Sequence, residues 1–275
     1  MTESVDAWIG RQEVRTDVLE ASRSSALLTA LGQPDELKPG DPLPLLHHWL
    51  YFWDVRPPSE LGPDGHPKRG GFLPPIALPR RMWAGGRLSF HQFLLVGERV
   101  TRQSTITQIE TKSGRSGTLV FVTVKHELSG ANGLAISEEQ DLVFREPSAP
   151  AIATVAPAEA TAGDWADTVD ANSTLLFRYS ALTLNGHRIH YDLPYATGEE
   201  GYGGLVVHGP LQAQLLLDFA TRHLPGHVTG FSFRGLSPAL HTAGLDLSGT
   251  RHETGASVWT HQSGHRCMTA EVTCS

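Results

Sequence analysis

The sequence predicts an α+β fold of two similar units, each with an antiparallel sheet wrapped around one helix. A stretch rich in proline and alanine, 148–164, divides the 275-residue chain into parts of similar size, 1–147 and 165–275. Proline stiffens such a stretch and removes backbone donors, which is typical of a linker. Each part contains a helical segment followed by β-rich segments. One helix followed by an antiparallel meander favours an α+β unit, and two such units would form a pseudo-dimer within one chain.

The first part is predicted to contain one helix and three long strands. The helical candidate, Leu45–Val55, is strongly apolar and stops before Pro57. Proline disfavours helical geometry in the residues that precede it. A stretch rich in glycine and proline, 61–86, follows without a predicted element. The strand candidates carry β-branched residues and are separated by turn residues; they are Glu98–Lys112, Gly117–Glu127 and Gly133–Arg145.

The second part is predicted to contain a buried helix at Pro210–His223. Proline suits the first helical position because its missing N–H would be unpaired there anyway. Apolar residues cover nearly all faces of this helix, interrupted only by Gln212, Gln214 and Asp218, a pattern typical of a buried helix. Four strand candidates follow, namely Val228–Arg234, Thr242–Leu247, Ala256–Gln262 and Arg266–Thr273.

Charge and composition argue against several classes of protein. The chain has 22 basic and 29 acidic residues, whereas a general nucleic-acid binder needs a basic face, so we expect no nucleic-acid partner. No apolar run approaches the roughly 18–20 residues that span a bilayer, and the first residues lack the features of a signal peptide. The two cysteines, Cys267 and Cys274, form no disulfide framework and no C-x-x-C pair. We therefore expect a cytoplasmic protein without a membrane partner.

A polar segment, 179–192, contains candidate acid–base residues. Asn185 and His190 flank a turn that contains Gly186. A histidine with a pKa near neutrality can accept a proton from water and return it within one cycle. An asparagine amide can orient a water by donating and accepting at once. A turn rich in Asn, Gly and His is equally consistent with a structural role, so the spacing alone leaves both interpretations open.

The residues that lead into the second predicted helix form a candidate oxyanion hole. The N–H groups at a helix start have no intrahelical partner, and the helix dipole places about half a positive charge there. Gly209 can bring its N–H close to a bound carbonyl oxygen because it lacks a Cβ. A Gly-Pro pair is more often an ordinary helix start, so this segment is not decisive by itself.

Together the two segments resemble the MaoC-type, or hydratase-2, motif of enoyl-thioester hydratases with a hotdog fold. The likeness is carried by RYSALTLNGHRIHYD, GLVVHGPLQAQLLLD and FRGLSPAL in the second part, and by HHWLYFWD, RRMWAGGRLSFHQ and GRSGTLVFVTVKHE in the first. The residues of these segments make the chain similar to one branch of that group, which contains the type 2 hydroxyacyl-thioester dehydratases and the mesaconyl-C4-CoA (3-methylfumaryl-CoA) and itaconyl-CoA hydratases. The resemblance implies a double hotdog, with two antiparallel sheets each wrapped around a central helix.

The resemblance also implies roles for three residues. His190 matches the catalytic histidine of the motif, and Gly209 matches the residue whose amide polarises the thioester carbonyl. Asn185 lies where the wider family has a catalytic aspartate, so one imidazole would serve as both base and acid. The first part lacks a corresponding motif and is expected to be non-catalytic, helping to shape the acyl pocket.

The implied function is reversible hydration of the α,β-double bond of a short branched dicarboxylic enoyl-CoA. The alternative is a (3R)-hydroxyacyl-CoA or acyl-carrier-protein dehydratase of fatty-acid or polyketide synthesis. Coenzyme A would be part of the substrate, and no separate cofactor and no metal are expected. A homodimer is the expected assembly. Other residues expected to bind substrate are Trp83, Arg178, Tyr179, His208 and Arg234, with Arg80 and Arg81 as further candidates for a carboxylate-binding cation.

A metalloenzyme and a non-catalytic acyl-thioester-binding module are the competing interpretations. The histidines available as metal ligands are His187, His190 and His208 in the second part, and His47 and His48 in the first. The chain lacks an H-E-x-x-H sequence and a cysteine pair, which weakens the metal hypothesis. An asparagine at position 185 would fit a binding module, whereas the presence of both His190 and Gly209 favours an enzyme.

Overall fold

The computed structural model describes residues 5–33, 35–114, 117–146 and 163–275. Within them, ten strands form one antiparallel sheet, accompanied by three α-helices. In the first part these elements are β1 (Gln12–Val18), α1 (Ala21–Ala30), β2 (Arg80–Phe90), β3 (Arg99–Gly114), β4 (Gly117–Gly130) and β5 (Gly133–Arg145). In the second they are β6 (Trp165–Val169), α2 (Ser173–Thr183), α3 (Gly209–Thr221), β7 (Val228–Gly235), β8 (Leu245–His252), β9 (Gly255–Gln262) and β10 (His265–Cys274).

The order of the strands reveals two units with the same topology. The sheet runs β1-β3-β4-β5-β2-β7-β10-β9-β8-β6, so the second unit repeats the arrangement of the first in reverse. The units join where β2 pairs with β7 in antiparallel register, from Gly85 opposite Arg234 to Ser89 opposite Gly230. This arrangement confirms the predicted α+β fold with two sheet-and-helix units in one chain.

Two glycines of β2 allow the strands at this junction to come close together. A Cβ at Gly85 would lie 2.5 Å from the carbonyl oxygen of Phe233. A Cβ at Gly86 would lie 3.0 Å from the carbonyl oxygen of Glu139. Glycine in a strand interior often marks such a close approach of two backbones. Any larger residue at position 85 would push β2 and β7 apart.

Helix α3 forms the core of the second unit, as predicted. Nine of its residues are buried, including Gln212 and Gln214. The Oε1 atom of Gln212 accepts a hydrogen bond from Thr260 at 2.7 Å, and Nε2 of Gln214 donates to the carbonyl oxygen of Leu45 at 3.2 Å. These partners satisfy polar groups that would otherwise be costly to bury. The prediction of a buried helix is therefore confirmed, although the helix begins one residue earlier and ends at Thr221.

The prediction of a helix at Leu45–Val55 is wrong. Only His47–Leu50 form a short 3₁₀-helix. Leu46 and Phe52 have positive φ angles of 65° and 61°, and a left-handed residue on each side stops a right-handed helix from extending. Leu46, Leu50, Tyr51 and Phe52 are all buried. The apolar run correctly indicated burial but not helical conformation.

All seven predicted strands are present, but five elements were not predicted. The largest shift is at β8, which begins three residues after the predicted Thr242. The elements that were not predicted are β1, β2, β6, α1 and α2. Helix α2 is capped by the side chain of Asn172, which accepts a hydrogen bond from the N–H of Leu175 at 3.1 Å. Asparagine is a preferred residue at that position.

The predicted linker falls almost wholly outside the described residues, which resume at Gly163. The domain limits 1–147 and 165–275 therefore stay predictions. Among the helices that the structure describes, none combines the length and apolar character that a membrane span requires.

Candidate active site

His190 lies at the end of a short 3₁₀-helix, Arg188–His190, and its side chain is buried. Its Nδ1 lies 2.7 Å from the carbonyl oxygen of Val206. Because a carbonyl oxygen can only accept, Nδ1 carries the proton and Nε2 keeps a lone pair. Burial lowers the pKa of His190 to about 4, although the hydrogen bond to Val206 opposes that shift. The imidazole is therefore a neutral base at physiological pH.

A second buried histidine, His208, supports the ring of His190. The two rings are stacked, with centroids 3.7 Å apart and planes 18° apart. Nε2 of His208 hydrogen-bonds to Ser180 of α2 at 2.8 Å, and the ring of Tyr179 packs edge-on against it at 4.9 Å. His208 and Tyr179 are 0% and 2% exposed. His208 therefore contacts the ring of His190 directly, and Tyr179 packs behind His208.

Gly209 follows His208 directly and begins α3, so its N–H belongs to the unpaired first turn of the helix. The stacking of His190 on His208 therefore places the imidazole beside the positive end of α3. A Cβ at Gly209 would lie 3.7 Å from the carbonyl oxygen of Trp83 and 3.8 Å from Cε of Met268. These are ordinary contact distances, so the glycine keeps open the space between the helix end and β2.

Asn185 occupies the turn that leads from α2 to His190. Its backbone N–H donates to the carbonyl oxygen of Ser180 at 2.9 Å, after Leu184 adopts a left-handed φ of 50°. Its Oδ1 accepts a hydrogen bond from the N–H of His187 at 3.0 Å. One face of the amide is thus used to hold the turn, and the NH₂ group remains as a donor.

A loop of the first part packs directly on this turn. The N–H of Arg188 donates to the carbonyl oxygen of Asp64 at 2.9 Å. Gly65, with φ of 88°, approaches Gly186 so closely that a Cβ would lie 1.9 Å from the Gly186 carbonyl oxygen. The loop brings His66 within 4.3 Å of His187, measured between ring centroids. The first part therefore contributes side chains next to the predicted catalytic segment.

Three imidazoles form a row from this loop to His190, the predicted catalytic histidine. His66 contacts His187, and His187 meets His190 at a centroid distance of 5.5 Å with nearly perpendicular rings. Nδ1 of His66 hydrogen-bonds to the carboxylate of Asp64 at 2.9 Å. Burial lowers the pKa of His187 to about 2, and burial together with the charge of Arg81 lowers the pKa of His66. Sequence reasoning missed Asp64 and His66, because no local pattern shows that their loop meets residues more than 100 positions away.

Asp64, His66 and His187 are also the one group of potential metal ligands found among the described residues, with ligand atoms within 4.8 Å of one another. The chemistry of their surroundings does not favour a cation. Oδ2 of Asp64 is already engaged by His66, and Arg81 and Arg69 both act on His66 as nearby positive charges. The ligand set suggested by the sequence, His187 with His190 and His208, is not brought together in this group. The expectation of no metal stays a prediction.

The arginines suggested by the sequence lie in different environments. Arg178 on α2 and Arg234 on β7 are exposed. Arg80 forms an ion pair with Glu200. Arg81 is half-buried and has no hydrogen-bond or ion-pair partner among the residues that the structure describes. Within the described residues, no hydrogen bond or ion pair joins Arg178 or Arg234 to the predicted catalytic segment, so their predicted role in substrate binding stays a prediction.

Trp83 belongs to an aromatic cluster between the units. Its ring packs edge-on against Trp49 at 5.0 Å and against Phe233 at 5.7 Å. Its Nε1 donates to the carbonyl oxygen of Gly85 at 2.8 Å. Its backbone oxygen lies opposite Gly209, so the backbone of β2 at Trp83 faces the start of α3.

Comparison with known proteins identifies the family. Residues 46–241 match the sequence profile described as hydroxyacyl-thioester dehydratase type 2, which covers well over half of the chain. The chain belongs to the hydroxyacyl-thioester dehydratase type 2 family. It is 49% identical over 244 residues to mesaconyl-C(4)-CoA hydratase of Chloroflexus aurantiacus, which covers 88% of this chain and 87% of that protein.

Solved structures agree with this membership at the level of the fold. A MaoC-like dehydratase aligns with a TM-score of 0.74 and 15% identity, covering 99% of this chain and 100% of that one. A Mycobacterium tuberculosis protein with a double hotdog fold aligns with a TM-score of 0.55 and 16% identity, covering 97% and 96% of the two chains. These likenesses confirm the predicted double hotdog. Membership of the type 2 dehydratase family confirms the predicted enzyme class, an enoyl-thioester hydratase or dehydratase.

Proposed function

We propose that this enzyme reversibly hydrates the α,β-double bond of a short branched dicarboxylic enoyl-CoA of the mesaconyl-C4-CoA type. The observation that carries the proposal is the stacking of His190 on His208, which sets a neutral imidazole beside the Gly209 end of α3. The 49% identity to a mesaconyl-C(4)-CoA hydratase supports this class of substrate. Coenzyme A enters as part of the substrate, and no separate cofactor is proposed.

The reaction begins with polarisation of the thioester carbonyl. The N–H of Gly209, assisted by the dipole of α3, donates to the carbonyl oxygen and stabilises the enolate that forms there. An oxyanion donor of this kind typically lowers the barrier by about 3–4 kcal/mol. The dipole adds to this effect because negative charge develops at the positive end of the helix. The β-carbon thereby becomes electrophilic enough to accept water.

His190 then moves one proton between water and the substrate. Its Nε2 accepts a proton from the water whose oxygen bonds to the β-carbon. The resulting imidazolium donates that proton to the α-carbon of the enolate, so the water is added to one face of the alkene. The Val206 carbonyl holds the proton on Nδ1 throughout. The NH₂ group of Asn185, which is not consumed by the turn, is available to orient the water.

A second candidate function is dehydration of a (3R)-hydroxyacyl thioester on coenzyme A or acyl carrier protein. The observation in its favour is the description of the matched family. The same residues catalyse both directions of the reaction, so the acyl group and the carrier distinguish the two candidates. We favour the dicarboxylic hydratase because the chain is 49% identical to a mesaconyl-C(4)-CoA hydratase.

The remaining features of the proposal concern the assembly and the location. The first unit is proposed to be non-catalytic and to shape the acyl pocket through Trp83 and the loop that carries His66. A homodimer is proposed because paired hotdog units commonly associate further and because closed twofold dimers are the commonest assembly. A cytoplasmic location is proposed from the paucity of cysteine and from the acidic composition.

The test of the proposed function is the His190→Ala variant. Hydration of mesaconyl-C4-CoA, itaconyl-CoA and crotonyl-CoA is followed at the enoyl-thioester absorption band, with (3R)-hydroxyacyl-CoA dehydration as the comparison. Loss of general acid–base catalysis lowers kcat by roughly 10²–10⁴-fold. His227→Ala, at a surface histidine outside the site, serves as the matched control. Turnover of wild-type magnitude by His190→Ala would rule out the mechanism.

A further inference from the structure

We propose that Arg81 binds the free carboxylate of the acyl group, in a pocket that it forms with His66 and His187. This inference rests on the proposed function, since it supplies the residue that would select a dicarboxylic substrate. It assigns the negatively charged end of the substrate to the first unit, and the thioester to α3 of the second.

The position of Arg81 on β2 directs its side chain towards the site. Arg81, Met82 and Trp83 pair in unbroken register with Phe144, Val143 and Leu142 of β5. Side chains two residues apart in a strand point to the same face of the sheet. Arg81 therefore shares the face of Trp83, whose ring packs against Trp49 and Phe233 between the units, whereas Met82 points to the other face and is 43% exposed.

Arg81 differs from the other arginines of β2 in its lack of a partner. Arg80 pairs with Glu200, and Arg87 pairs with both Glu139 and Asp141. In the described part of the chain, no hydrogen bond or ion pair is made by Arg81. A partly desolvated guanidinium without a partner is unfavourable, and its planar fork matches a carboxylate.

The balance of charges around the pocket favours the binding of an anion. Arg81 and Arg69 are the cations that act on His66, and Asp64 is the carboxylate beside it. Arg69 donates to the carbonyl oxygens of Ile76, Leu78 and Pro79. Because these acceptors are uncharged, these hydrogen bonds do not neutralise the charge of Arg69. Asp54, the other carboxylate that acts on Arg81, is already paired with Arg15 and Arg56. Arg69 and Arg81 therefore outnumber the one remaining carboxylate, Asp64, and the net charge is positive. That balance favours a carboxylate ligand over a metal ion.

The location also fits the chemistry of the substrate. In a mesaconyl-C4 thioester the free carboxylate is bonded to the β-carbon, the same atom that receives water. The carboxylate must therefore lie close to His190. The row His66, His187 and His190, with centroid distances of 4.3 Å and 5.5 Å, leads from the pocket to the base. Imidazole N–H groups in that row can donate to the second carboxylate oxygen while Arg81 holds the first.

The experiment compares two substrates that share a thioester and a double bond but differ in the carboxylate. We expect Arg81→Gln to lower kcat/KM for mesaconyl-C4-CoA by roughly 100-fold, because charged hydrogen bonds to the carboxylate are lost. Activity with crotonyl-CoA, which has no carboxylate, should change by less than about threefold on the same reasoning. Arg81→Lys should recover part of the loss because it retains the charge. Arg99→Gln, at an exposed arginine of β3, is the matched control and should leave both activities unchanged.

The outcomes separate this inference from the proposed function. An equal loss of kcat/KM with both substrates would show that Arg81 is structural. Unchanged kcat/KM with both substrates would show that it does not touch the carboxylate. Either result overturns the inference alone. If the wild-type enzyme hydrates neither substrate, the proposed function fails with it. Stoichiometric metal in the purified protein, absent from His66→Ala, would also overturn the inference, because a cation would then occupy the pocket.

Discussion

At the scale of single residues, the acid–base properties of His190 follow from its burial and from one hydrogen bond. Burial disfavours the charged imidazolium and lowers the pKa to about 4, while the Val206 carbonyl fixes the proton on Nδ1. A histidine exposed to water would be half protonated near pH 6.5. The surroundings of His190 therefore keep the base unprotonated well below neutrality.

This lowered pKa predicts an unusual pH dependence. The active form of the base is neutral, and it is present at every pH above the pKa of His190 in the folded enzyme. We expect kcat/KM for crotonyl-CoA to stay flat from pH 7.5 to 5 and to fall only as the pH approaches the value of about 4. Crotonyl-CoA is chosen because it carries no carboxylate that titrates in the same range. Brief assays after dilution from pH 7.5 separate this effect from unfolding, and an acid limb centred near 6.5 would contradict the assignment.

The sequence could point to Asn185, His190 and Gly209 as candidate site residues because their spacing is local. Asn185 and His190 belong to one turn, and Gly209 begins the next helix. The residues that the sequence did not identify, Asp64 and His66, reach the site through a loop of the first unit. Neither periodicity nor a short motif reports such a long-range contact. For the same reason, sequence patterns alone could not distinguish Arg81 from the other arginines.

At the scale of elements, the strands were predicted better than the helices. Alternation and turn residues located β3, β4 and β5 because side chains of a half-buried strand repeat every second residue. The same reasoning missed β2, whose glycines weaken a strand pattern but are required by the contact with β7. Sequence analysis predicted a helix at Leu45–Val55 from apolarity alone, although residues with left-handed φ angles interrupt helical geometry there. Such residues are set by tertiary packing.

The loop 62–67 is the element that connects the first unit to the predicted catalytic turn, and Gly65→Ala tests its role. The backbone φ of 88° is unfavourable for alanine, and its Cβ would lie 1.9 Å from the Gly186 carbonyl oxygen. The loop must therefore move away from the turn. We expect a loss of about 2–3 kcal/mol in the free energy of unfolding and a fall in kcat/KM of at least roughly tenfold, since a misplaced site costs up to about 100-fold.

Gly40→Ala provides the matched control for this prediction. Gly40 has a similar φ of 95°, but a Cβ there would meet nothing within 4 Å. The substitution should cost only the backbone strain of about 1–2 kcal/mol and leave kcat/KM unchanged. Denaturant unfolding and crotonyl-CoA kinetics measure both effects. Equal activity of the two variants would show that contact between the loop and the turn is dispensable.

At the scale of the whole molecule, the two units keep a common feature around their buried histidines. In the second unit, Ser180 of α2 bonds to His208, just before α3. In the first unit, Ser24 of α1 bonds to His47 at the corresponding 3₁₀-helix. The residue after His47 is a histidine held by the buried Glu138 rather than a glycine. A histidine bonded to a buried carboxylate leaves no open helix start, which supports the proposed division of roles between the units.

Two buried histidines of the first unit predict that acid destabilises the protein before its carboxylates titrate. Burial lowers the pKa of His47 to about 3 and of His126 to about 4, from the usual value of 6.5. Between pH 6.5 and pH 4 the unfolded chain binds more protons than the folded one. The free energy of unfolding is therefore unaffected by these histidines above pH 6.5 and declines as the pH falls towards 4. Each pH unit between the pKa of a histidine in the unfolded chain and its pKa in the folded chain lowers the free energy of unfolding by up to about 1.4 kcal/mol. The melting temperature should therefore be roughly 5–10 °C lower at pH 5 than at pH 7.

Replacement of one histidine tests the origin of that slope. Nδ1 of His126 bonds to Ser104 at 2.7 Å, and asparagine can keep such a hydrogen bond without titrating. His126→Asn is therefore expected to lower the melting temperature at pH 7, through its smaller side chain, while reducing the further drop between pH 7 and 5. The control is His252→Asn, at an exposed histidine of β8, which should leave the drop unchanged. A melting temperature that stays constant from pH 7 to 5 in the wild-type protein would mean that protonation of these buried imidazoles does not limit its stability.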